Sequence, residues 1–104
     1  MSTRMTRRDI DELLHQHNLW IDSGEARGKR AHLAGAHLAG AHLAGANLGG
    51  ANLERAHLAG ANLERANLER AHLAGAYLGG AHLAGAHLAG ANLGGANLER
   101  AHLA

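Results

Sequence analysis

From Ala31 to Ala104 the chain repeats one five-residue unit, Ala-(His/Asn/Tyr)-Leu-X-X, without a slip, and Leu33, Leu38, Leu43 and every fifth residue to Leu103 mark the beat. A five-residue period matches neither the 3.6-residue turn of a helix nor the two-residue alternation of a strand, so the segment is no ordinary amphipathic element. It has to coil. Repeats of fixed length read as a solenoid in which each unit buries its apolar residues by stacking on its neighbours, with no cleft made by the chain crossing over itself. Architecture is therefore specified far more tightly than activity.

The 104 residues divide into 1–30, of ordinary mixed composition, and 31–104, all repeat, with no linker between them. With no cysteine and no proline, a disulfide framework and thiolate metal sites are excluded. The start, Met1-Ser2-Thr3-Arg4, has no apolar run of signal-peptide length, and nothing approaches the roughly 18 apolar residues of a membrane span. The expectation is a cytoplasmic chain that meets no membrane. The formal net charge of +1 hides an uneven distribution, because the repeat holds four Arg (Arg55, Arg65, Arg70, Arg100) balanced by four Glu (Glu54, Glu64, Glu69, Glu99). Eight of the ten histidines lie in the repeat, always in the second position of the unit: His32, His37, His42, His57, His72, His82, His87 and His102.

The unit resembles that of the pentapeptide repeat family, A(D/N)LXX, over about 70% of the chain and fifteen consecutive units, the last one residue short. The resemblance implies an all-β fold, a right-handed quadrilateral β-helix with four pentads per coil, Leu and Ala pointing inward and the other three positions facing solvent. The sequence agrees independently, since the Leu and Ala slots never vary while the second, fourth and fifth do. Twenty residues per circuit give coils 31–50, 51–70, 71–90 and an incomplete 91–104, with residues twenty apart stacked at about 4.8 Å. An interior filled by leucine leaves no room for a substrate or cofactor, so the expected protein is not an enzyme.

The start reads as an α-helical cap. Thr6 with Asp9 three residues on marks a helix N-terminus, and Ile10, Leu13, Leu14, His17 and Trp20 or Ile21 follow at helical spacing. The spacing predicts a helix over 7–21, ended by Ser23-Gly24, with Trp20 as the largest part of the face that covers the first leucine layer. His15 and His17 read as ordinary helix residues. At the other end, Ala104 leaves an open leucine layer and unpaired backbone, which predicts a two-fold homodimer through the C-terminal coil, against a monomer with a frayed last coil. Because Arg55, Arg65, Arg70 and Arg100 share the fifth slot with Gly35 and Gly40, glycine is not obligatory there and those corners need not have a positive φ.

The second position, Asp or Asn in the family, is here His eight times, Asn six times and Tyr once, at Tyr77. Asp never occurs there, and the units reduce to AHLAG, ANLGG, ANLER and AYLGG, a vocabulary that points to an engineered chain in which Asp was exchanged for His. Three readings follow. The first is a non-catalytic scaffold whose outer wall tolerates His ladders, with no ligand. The second is weak, exchangeable binding of Zn²⁺, Ni²⁺ or Cu²⁺ by the stacked pairs His37/His57 and His82/His102, since neutral imidazole suits these ions. Two ligands fall short of the four of a structural zinc site or the three plus water of a catalytic one, so no resident cofactor is expected. The third is the DNA-mimic role by which some family members bind DNA gyrase, which rests on an acidic surface that this repeat lacks. Nucleic acid is not an expected partner at neutral pH either, because every Arg of the repeat directly follows a Glu. Stacked imidazoles should also resist charging together, so stability is expected to fall as pH drops through the ordinary histidine range, about 6.5.

Overall fold

The computed structural model describes residues 5–104. Its first element is helix α1, Arg7–Asp22, one residue longer than the spacing predicts. Thr6 starts it with a reciprocal capping box: the Asp9 amide donates to Thr6 Oγ1 at 3.1 Å, and the Thr6 amide donates to Asp9 Oδ2 at 3.0 Å. The backbone and side-chain bonds from Thr6 hold the Asp9 carboxyl below its ordinary range. Ser23 caps the other end, and Gly24 turns the chain at φ +67°. The connection then folds back on the helix, where the Lys29 amide donates to Gln16 O at 3.1 Å. Gly28 makes this approach possible, since a Cβ there would stand 2.3 Å from Gln16 O.

From Ala31 onward every bridge is parallel and joins residues twenty apart, as in His32 with Asn52, His37 with His57, His42 with Asn62 and Asn47 with Asn67. Four pentads therefore make one circuit, as the repeat predicts. The bridges are isolated, and among the described residues no continuous strand forms. The five-residue side is the reason: three residues run along the wall and two turn the corner, so each side offers a single bridging position. Two hydrogen-bond runs hold the coils together. Leu33 N donates to Asn52 O at 2.7 Å and Asn52 N returns to Ala31 O at 3.0 Å, while at the corner Gly35 N reaches Glu54 O at 2.8 Å.

Each corner is closed by a turn in which the next Ala amide bonds the Leu carbonyl, as in Ala36 N to Leu33 O at 3.0 Å. The third residue of such a turn has a positive φ, the mark of type II. That holds for Gly35 at +67° and equally for Arg55, Arg65, Arg70 and Arg100 at 58°, 61°, 60° and 60°. Glycine is thus not obligatory at the corner, but the positive φ that the shared slot makes look dispensable is present at all four arginines. The coil fixes the corner's backbone, and the residue placed there has to adopt it.

The core is a column of leucines walled by alanines. Leu33 to Leu83 are all buried, whereas Leu103 is 59% exposed and Leu88, Leu93 and Leu98 are half-buried at the C-terminal end. At the N-terminal end Ile10 joins the core, and Met5, Leu13 and Leu14 pack against it. Only about 10 Å³ remains empty between α1 and Leu33, Leu38, Leu43 and Leu48. Trp20 is not the piece that covers this layer. It sits nearly two turns beyond Leu13 and Leu14, half-buried, with its indole edge over the Gly50 corner. No helix among the described residues is long and apolar enough to cross a membrane.

Candidate functional site

Because residues twenty apart stack, the second positions form four vertical files on the outer wall. They read His32, Asn52, His72, Asn92; His37, His57, Tyr77, Asn97; His42, Asn62, His82, His102; and Asn47, Asn67, His87. The two sequence-predicted pairs come together as the register requires, His37 with His57 at 4.7 Å between ring centroids and His82 with His102 at 4.7 Å. The pairs lie on different sides of the coil. Tyr77 extends the first of them, stacking on His57 at 4.9 Å and 25° to give a run of three aromatic rings. The twenty-residue register already places it there, but an argument confined to like-with-like His pairs passes over it.

Stacking governs what these imidazoles can do. A ring nitrogen's lone pair lies in the ring plane, so two rings 14° apart, as in His82 and His102, point their lone pairs side by side rather than at a common point. Two imidazoles on one tetrahedral zinc converge with Zn–N of about 2.0–2.1 Å. Chelation by His82 with His102 therefore requires one ring to rotate out of the stack, whereas His37 and His57 are already tilted by 38°. Among the described residues no group of three or more His, Asp or Glu gathers into a potential metal site.

The asparagines of the same files turn inward to the backbone. In each Asn pentad Oδ1 accepts the amide two residues on, from Gly49 at 3.1 Å, Glu54 at 3.1 Å, Glu64 at 3.0 Å, Glu69 at 3.0 Å, Gly94 at 2.9 Å and Glu99 at 2.9 Å. This Asx turn reinforces the corner that follows. The arginine stems lie flat on the glycine corner of the next coil, with Arg55 Cγ at 3.2 Å from where a Cβ of Gly75 would be. Among the described residues the ion pair within 4.0 Å is Arg7 with Asp11 on α1, so the Glu-Arg neighbours of the repeat stay apart.

The residue that sequence reasoning undervalued most is His17. It is completely buried, the one buried polar side chain among the described residues. Its Nδ1 accepts the Ala31 amide at 2.9 Å, so Nε2 carries the proton and donates to Gly49 O at 2.8 Å, and Trp20 stacks on the ring at 5.4 Å. The signal was present, since His17 falls on the apolar face of α1, seven residues after Ile10.

A square circuit of twenty residues, a leucine column and turn corners repeated every five residues define a repeat solenoid. The chain belongs to the pentapeptide repeat family, whose model matches residues 31–70 and 66–103 with eight copies. Members of this family fold as right-handed quadrilateral β-helices. Among solved structures, the pentapeptide repeat protein Rfr23 from the cyanobacterium Cyanothece 51142 is 44% identical with a TM-score of 0.69, over 70% of this chain and 50% of that one. The chain thus spans half the length of that relative. The pentapeptide repeat protein alr5209 from Nostoc Pcc 7120 is 33% identical over 90% of this chain and 74% of that one, with a TM-score of 0.49. No curated protein sequence matches significantly.

Proposed function

We propose that the chain is a non-catalytic, engineered scaffold that holds histidines in files on a rigid wall, with an α-helical cap at one end. The observation that carries this reading is the division of labour within the unit. Every buried side chain of the repeat is Ala or Leu, while every residue with chemistry in it faces outward. The four-unit vocabulary supports design. On this reading the second position is exchangeable, and a variant with Asn at all eight His positions keeps the far-ultraviolet spectrum and the cooperative melt of the original. Loss of the fold in that variant refutes it.

The partner that suits such a scaffold is a second copy through the C-terminal coil. There Leu68 to Leu103 line a concavity of about 120 Å³, and Leu103 stands 59% exposed. A two-fold dimer buries that layer, and its test is the light-scattering mass at neutral pH against a Leu93→Glu, Leu103→Glu variant. A monomeric mass for the original removes the dimer.

The centroid distances favour one second reading, weak binding of Zn²⁺, Ni²⁺ or Cu²⁺ by His37 with His57 and by His82 with His102. Calorimetric titration of EDTA-treated protein against the His57→Asn, His102→Asn double variant tests it, and equal heats dispose of it. Gyrase binding by DNA mimicry draws no support from a wall with as many Arg as Glu.

A further inference from the structure

Helix α1 meets the first coil along an edge made chiefly of carbonyls. In the interior of the solenoid, carbonyls of the second and fourth positions accept amides from the coil before, as Asn52 O and Glu54 O do from Leu33 and Gly35. The first coil has no coil before it, so its carbonyls face α1, and the N-terminal segment meets them with donors. The Met5 amide donates to His37 O at 3.3 Å, Arg7 Nη1 donates to His42 O, His17 Nε2 donates to Gly49 O at 2.8 Å and Arg30 Nε donates to Gly50 O at 2.6 Å. Of these donors, His17 is the one that also has to accept, because the Ala31 amide points at its Nδ1 from 2.9 Å.

We propose that α1 is an acid-released cover of the first coil and that His17 is its latch. A proton on Nδ1 places two N–H groups head to head, breaks the Ala31 contact and leaves a charge on a side chain with no exposed surface. Among the described residues, none that contacts the ring offers a counter-charge. The stacked neighbour is Trp20; the connection contributes Arg30, a cation; the coil contributes the Gly49 carbonyl; and the groove beside Trp20 is lined by the carboxylates Glu25 and Glu69, the latter next to Arg70. With both ring nitrogens already bonded to backbone, no carboxylate reaches the imidazole.

Energetics and geometry agree. Burial holds the His17 ring below its ordinary value of 6.5, the bond to Gly49 opposes this, and Arg30 adds to the depression. Since the undocked ring takes its proton more readily than the docked one, docking is fully favoured above 6.5 and is lost as pH falls through the docked value. A solenoid coil touches only its neighbours, so the cover lifts without melting the coils beyond the first. What it uncovers is the apolar layer Leu33, Leu38, Leu43 and Leu48 with its row of carbonyls.

The test is amide hydrogen exchange with Trp20 emission and binding of an apolar dye, from pH 8 to pH 5, on the full chain and on His17→Gln, which keeps a donor and an acceptor but cannot charge. For the original, protection of α1 and of the Ala31 amide falls at least about tenfold more than pH alone accounts for, Trp20 emission shifts to the red and the dye binds. Amides of Leu58, Leu63 and Leu68 stay protected, and His17→Gln shows none of these changes. Should His17→Gln fail to dock even at pH 8, a nuclear magnetic resonance titration of the original decides, because the Trp20 transition has to follow the His17 ring and no other. Retained protection at pH 5, simultaneous loss at Leu58 and Leu63, a Trp20 transition that follows another histidine, or an equal acid response in a well-docked His17→Gln each overturns the proposal.

Discussion

Four arginines held at φ near +60° make the fold's stability improvable at known places. A non-glycine residue in the left-handed region costs about 1–2 kcal/mol, and a glycine there gives back about 0.5–1 kcal/mol as lost chain entropy. Arg65→Gly is thus worth about 0.5–1 kcal/mol of added stability, or a Tm about 2–8 °C higher for a chain of this size. No salt bridge is forfeited, since the arginines of the repeat form none within 4.0 Å. Arg55, Arg65, Arg70 and Arg100 occupy four separate corners, so the fourfold glycine variant should gain about 2–4 kcal/mol by addition. The reciprocal change isolates the backbone term. At Gly60 φ is +68° and a Cβ meets nothing within 4 Å, so Gly60→Arg introduces the strain without a clash. Its pentad carries His57 in place of Asn and lacks the Asx turn. A double-mutant cycle of Gly60→Arg with His57→Asn should therefore recover about 0.5–1 kcal/mol, the worth of one hydrogen bond. The assay is thermal and urea denaturation followed by circular dichroism. A fourfold variant that melts no higher than the original, or a cycle with zero coupling, refutes the reasoning.

Three further outcomes follow from packing. Leu58→Ala, in the completely buried part of the column, lowers stability by about 2–5 kcal/mol; Leu103→Ala, at a side chain 59% exposed, changes the monomer's stability by less than about 1 kcal/mol, both read from urea midpoints. Asn67→Ala deletes the 3.0 Å bond to the Glu69 amide ahead of the strained Arg70 corner and costs about 0.5–1.5 kcal/mol on the same assay. Gly28→Ala forces a Cβ to within 2.3 Å of Gln16 O at a φ of +73°, so the connection leaves α1, Trp20 emission shifts to the red at pH 8 and stability falls by about 2 kcal/mol or more.

The period carried most of the fold. Fifteen leucines at a fixed interval of five leave little choice of wall or register, and the stacked partners of His37 and His82 follow from counting twenty residues forward. The corner was misread for a physical reason. Arg and Gly in one slot suggest an undemanding backbone, whereas a repeating coil imposes one backbone on all its corners and the residue placed there bears the strain. Trp20 and His17 were misjudged together, because helical spacing says which residues share a face but not that the face overhangs the coil's edge. There Ile10, Leu13 and Leu14 meet leucines, while His17 meets the polar rim at Gly49 and Ala31. An apolar-face histidine followed three residues later by a tryptophan was the available clue.

The restricted vocabulary of units acquires a physical grammar once the corner is known. Arg in the fifth position always follows Asn in the second, at Asn52, Asn62, Asn67 and Asn97, and every complete His pentad ends in Ala-Gly. The oxygen of Asn explains the coupling: it accepts the fourth-position amide and steadies the turn before the strained residue, as at Glu54 and Arg55. Histidine offers no such oxygen, and at His37, His57, His82 and His102 its ring packs on an aromatic neighbour above or below, so its corner is left to glycine, which adopts a positive φ freely. Exchanging an acidic or amide residue for histidine on such a wall is therefore not only a change of charge. It gives up a bond within one coil, gains a contact between two only where the file stacks another ring, as at His37 with His57 and His82 with His102, and is borne most easily where the residue three positions later is glycine.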